Sequence, residues 1–196
     1  MNLKKEWWQR IRRLTELHLT GFVAPFSMRA FASNPLLERL VLIGPTLFLP
    51  DTDDDAPPTY MENLKSIEFS NVLYPLHVLR GIIAPSITHF SLITAGYMVD
   101  EALPHITGRT SLVELCVGNC DLALHTFPAL LSSTPNLATL RIDTIEGVVN
   151  EMLRFLAPKA VDSLPCRTLQ HIDVSWCRDL TTSSLRAFVK TPIRIY

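Results

Sequence analysis

The sequence predicts an α/β fold: a solenoid in which a curved, open parallel sheet of short strands carries helices or turns on its convex side. Three observations predict it. One apolar pattern recurs along the whole chain, leucine is in large excess, and prolines return at a fixed place before the recurring segments. Leucine supplies 30 of 196 residues against only seven glycines, too few for phosphate-cradling loops or many tight hairpins.

The recurring pattern is an apolar residue, two variable residues, an apolar residue, one variable residue and a third apolar residue. It reads Leu14-Leu17-Leu19, Leu37-Leu40-Leu42, Leu64-Ile67-Phe69, Ile87-Phe90-Leu92, Leu112-Leu115-Val117, Leu137-Leu140-Ile142 and Leu169-Ile172-Val174. The seven copies start 23, 27, 23, 25, 25 and 32 residues apart. Alternate side chains of a strand point to opposite faces, so positions 4 and 6 of each copy turn into a core while positions 3, 5 and 7 face out. One such strand cannot bury its apolar face alone, and stacked copies can. Between copies, residues 73–80, 121–131 and 150–156 place apolar side chains three to four apart, which predicts helices. Asn34-Pro35, Ala84-Pro85, Thr134-Pro135 and Thr191-Pro192 then end each helical stretch, because proline cannot extend it. Residues 1–13 form an amphipathic cap, in which Trp7 and Trp8 cover the open end of the first copy. Residues 14–196 are the repeat domain, with a solvated acidic insertion at 51–60.

Composition excludes several classes. With 47% hydrophobic residues the chain is not disordered, and 18 basic against 19 acidic side chains leave a net charge of -1, so neither nucleic acid nor an anionic membrane is an expected partner. No apolar run reaches membrane-spanning length, and the N-terminus lacks a secretory signal. The expected location is intracellular, cytoplasmic or nuclear, with Cys116, Cys120, Cys166 and Cys177 as reduced thiols.

With these motifs the chain resembles leucine-rich repeat proteins, and in style the repeat region of fungal F-box proteins. Leu169 to Leu185 resembles the cysteine-containing subtype, with Cys177 after the strand and Leu180-Thr181 opening a helix. The ninth position of each copy, asparagine or cysteine in regular members, holds Phe22, Pro45, Val72, Ala95, Cys120, Ile145 and Cys177. Two of seven fit, which predicts a patchy polar ladder between copies. Only thirteen residues precede the first copy, too few for an F-box, so the chain reads as a recognition half, a truncated product or a divergent relative. What the resemblance implies is a non-enzymatic protein-binding module. It would serve substrate recognition in an SCF-type ubiquitin ligase, joined to ligase components through a missing N-terminal region, or act as a free-standing scaffold or regulator.

The chemical motifs point the same way. Asp51, Asp53, Asp55 and Glu62 copy the outline of a calcium loop, but Ala56 stands where glycine is needed and prolines follow. His18, His89, His171 and Cys116 face outward from different copies, too dispersed for a metal. Neither a nucleophile elbow nor a phosphate loop occurs. His171, Asp173 and Ser175 share one strand face, where two-residue spacing puts neighbours about 6–7 Å apart rather than in hydrogen-bond contact. No catalytic set, cofactor or metal site is therefore expected. The candidate site is the concave face, and a protein partner is expected to meet Arg39, Val41, Glu68, His89, Ile93, Glu114, Cys116, Arg141 and Asp173 there.

Overall fold

A computed structural model describes residues 13–21, 34–44, 57–72, 75–93, 102, 105, 110–120, 126–145, 149–157, 166, 168–188 and 194–195. The expected cap lies outside them apart from Arg13, as do Asp51 to Ala56 of the acidic insertion, Phe22, Pro45, Ala95, and Thr191-Pro192. The chain divides into two compact units, residues 1–87 and 88–196.

All seven copies form strands. In the first unit β1 (Glu16–Thr20), β2 (Arg39–Ile43) and β4 (Ser66–Ser70) pair in parallel, with Leu17, Leu40 and Ile67 in register. In the second, β6 (His89–Ile93), β7 (Glu114–Gly118), β8 (Thr139–Asp143) and β9 (His171–Asp173) continue the same rule, with Phe90, Leu115, Leu140 and Ile172 in register. A further short strand, β10 (Arg194–Ile195), pairs in parallel with β9. Among the described residues the helices are α1 (Pro75–Arg80), α2 (Thr126–Ser133), α3 (Val149–Leu156) and α4 (Thr182–Phe188). Among the described residues no helix is long and apolar enough to cross a membrane.

The core follows the sequence period. Leu40, Leu42, Ile67, Phe69, Phe90, Leu92, Leu115, Val117, Leu140, Ile142 and Ile172 are all buried at positions 4 and 6, each worth roughly 1.5–3 kcal/mol when removed from water. In edge strand β1, Leu19 is only half-buried. Helix α3 buries Val149, Met152, Leu153 and Leu156, one stripe at three-to-four spacing. Its Phe155 meets Phe127 of α2 edge-to-face, with ring centroids 6.4 Å apart. Helix α4 is capped as the Leu180-Thr181 motif predicts: Thr181 Oγ1 accepts the Ser184 amide at 3.3 Å. Asn150 of α3 grips the same turn, its Oδ1 accepting the Thr181 amide at 2.9 Å and its Nδ2 donating to the Asp179 carbonyl.

Consecutive copies are locked at the strand entrance. The carbonyl at position 2 accepts two successive amides of the next copy: Thr15 from Glu38 and Arg39, Glu38 from Lys65 and Ser66, Thr88 from Val113 and Glu114. Val113 then accepts from Ala138 and Thr139, and Ala138 from Gln170 and His171, at 2.8–3.1 Å throughout. In five copies the residue three before position 1 closes a turn onto it, as in Leu37 N to Asn34 O and Leu137 N to Thr134 O, both 3.1 Å. In three of these turns proline, as Pro35, Pro85 and Pro135, occupies the second place, where its fixed φ is favoured. The prolines therefore shape the entry into the strand as well as ending a helix.

The ladder at the ninth position is patchy, as expected: Val72 and Ile145 are buried in the core, while Cys177 reaches back, its Sγ donating to the Ile142 carbonyl at 3.4 Å. Side chains just before the strands also link the copies: Asn63 Nδ2 donates to Pro35 O (2.9 Å), Asn136 Nδ2 to Thr110 O (2.6 Å) and Thr168 Oγ1 to Pro135 O (2.7 Å). The insertion expected to be solvated through residue 60 ends in a strand, β3 (Thr59–Tyr60), parallel to β5 (Ile82–Ile83). Thr59 N reaches Gly81 O at 2.8 Å and Met61 N reaches Ile83 O at 2.9 Å, so backbone pairing ahead of copies three and four ends the loop.

Replacing central Leu115, fully buried in β7, with alanine should lower unfolding free energy by about 2–5 kcal/mol. Thr139→Ala, beside it on the outward face, should change it by roughly 0.5 kcal/mol or less. Urea denaturation of the two variants measures the contrast.

Candidate binding face

Positions 3, 5 and 7 of the parallel strands form an outward face in each unit. In the first, Glu16, His18, Thr20 and Ile43 are exposed and Arg39, Ser66, Glu68 and Ser70 half-buried. In the second, His89 and Arg141 are exposed, and Ser91, Ile93, Glu114, Cys116, Thr139, Asp143, His171 and Asp173 half-buried.

Val41 departs from expectation. It holds an outward position but is 2% exposed. In the register it lies between His18 and Glu68, with Arg39 and Ile43 two residues away on its own strand. Glu68 bridges back to Arg39 at 3.5 Å beside the valine. Val41 is thus buried despite its outward register. Gly118 is buried too, because the Asp143 side chain leans over it: a Cβ there would meet Asp143 Cβ at 3.1 Å.

The charged groups are largely spent on one another. Arg39 pairs with Glu68, His89 Nε2 lies 3.6 Å from Glu114, Arg141 Nε lies 3.4 Å from Asp173, and His18 lies 3.6 Å from Glu16 on its own strand. Such exposed pairs contribute about 0–1 kcal/mol each, so they organise the face more than they hold the fold. Thr88 Oγ1 and His89 Nδ1, 2.8 Å apart, hold the imidazole from its other side.

Asp173 is the most engaged carboxylate. β9 stops at this residue, and the chain turns so that both the Ser175 hydroxyl and the Ser175 amide (3.0 Å) donate to Asp173 Oδ1. The expected separation of this pair is corrected: the strand geometry on which it rested ends two residues early. The Ser175 hydroxyl bond, then its amide bond and Arg141, hold the Asp173 carboxyl below its usual range, against a partial opposing effect of burial.

Cys116 lies at the centre of the second unit's face. Burial raises its pKa first of all; Ser91 and Arg141 act against this, and Asp143 and Glu114 with it. Burial likewise raises the thiols of Cys166 and Cys177. All four cysteines are free. Among the described residues no three of His, Cys, Asp and Glu gather as a metal would require.

A feature at the strand exits escaped the sequence reading. Position 8 takes positive φ in six copies: Gly21 (61°), Gly44 (90°), Asn71 (55°), Asn119 (48°), Thr144 (53°) and Trp176 (63°). The turned amide caps the next strand, as Gly21 N to Ile43 O and Gly44 N to Ser70 O (2.8 Å), and Asn119 N to Asp143 O (2.9 Å). The signal was present as two glycines and two asparagines at one offset, the residues that tolerate this conformation best. Trp176 is the exception, and it is 81% exposed.

The lowered pKa of Asp173 carries a sign. Its contribution to stability is complete above the ordinary aspartate range and is lost as pH falls through the lower folded value. Asp173→Asn should therefore be less stable than wild type at neutral pH, and the gap should close as pH falls from about 5 to about 2, measured by thermal melting across that range.

Compared with known proteins, the chain matches no family model, no curated protein and no solved structure.

Proposed function

We propose that the chain is a leucine-rich repeat solenoid that binds a protein partner through its outward, concave sheet face and carries out no reaction of its own. The observation that carries this reading is the outward face itself. Its side chains alternate acid and base, with Ile43 and Ile93 reaching the surface among them. Such a face suits a specific protein surface, where scattered charges set encounter and selectivity while apolar contacts supply affinity. A phosphate backbone would instead call for a lysine or arginine stripe. The engaged state of Asp173 and the raised cysteine pKa values support a binding role over a catalytic one.

Within this reading the partner is the substrate of an SCF-type ubiquitin ligase. That step rests on the resemblance of residues 169–185 to the cysteine-containing repeat, and the Cys177 bond to the Ile142 carbonyl and the Thr181 cap are compatible with it. A free-standing scaffold uses the same face without ligase components. Four free thiols suit a reducing compartment, the cytoplasm or nucleus.

The test is affinity capture with wild type, the double variant Arg141→Glu/Ile93→Glu, and Glu151→Lys on α3 as a control, all matched for thermal stability. Partners should be lost with the double variant and kept with the control. Recovery of cullin-type ligase subunits favours the ligase role, and a stable partner without them favours the scaffold. Retention of every partner by the double variant moves the binding surface elsewhere.

A further inference from the structure

We draw no further inference here: the strongest candidate, the exposed Trp176 indole in the left-handed turn at the exit of β9, carries nothing because nothing in the structure shows what covers it.

Discussion

At five strand entrances one carbonyl accepts two successive amides from the following copy, and the rest of each unit depends on that junction. From Thr15, Glu38, Thr88, Val113 and Ala138 the same bifurcated contact starts the next strand in the same register. Register in turn decides which side chains enter the core, since a slip of one residue would reverse every one of them. Buried Leu40, Ile67, Leu115 and Leu140 and outward Arg39, Glu68 and Arg141 are two results of one alignment. The turns before five copies and the left-handed residues after six fix the strand ends, so the intervening strand can be as short as five residues and still hold its place.

The outward face inherits its character from this regularity. Equivalent positions on neighbouring strands stand close enough for unlike charges to meet, which is why Arg141 finds Asp173 and His89 finds Glu114 directly across the pairing. Apolar groups reach the surface among these pairs only in places, at Ile43 in the first unit and Ile93 in the second. Val41 does not, although it holds an outward position.

Much of this was legible in the sequence. All seven strands lie on the copies found by period, since a repeat states position 4 and position 6 many times over and one weak copy cannot hide the rest. α3 falls within a residue of its expected span, and α2, expected at 121–131, is observed at Thr126–Ser133, with residues 121–125 outside the described ones and the end two residues later than the apolar stripe alone suggests. Other features depend on information no apolar pattern carries. Val41 and Glu68 are 27 residues apart in sequence, and only the register shows that one lies beside the other. Ser175 was projected along a strand that ends at Asp173, so the hydrogen bond between them was missed. β3 and β5 are two residues each, too short for any alternation to show. The left-handed exits were visible as Gly21, Gly44, Asn71 and Asn119, yet a search for the polar ladder of leucine-rich repeat proteins looks one position further on, where Val72 and Ile145 sit in the core.

The entrance junction is the central claim, and native-state amide hydrogen exchange by NMR tests it directly. In an ordinary strand, amides facing one neighbour alternate with those facing the other, whereas here two adjacent amides share one acceptor. The account predicts slowed exchange at the consecutive pairs Val113 and Glu114, Ala138 and Thr139, and Gln170 and His171, with protection in each pair lost together as denaturant is added. Exchange at unprotected rates for both members of these pairs, with the helices still protected, would contradict it.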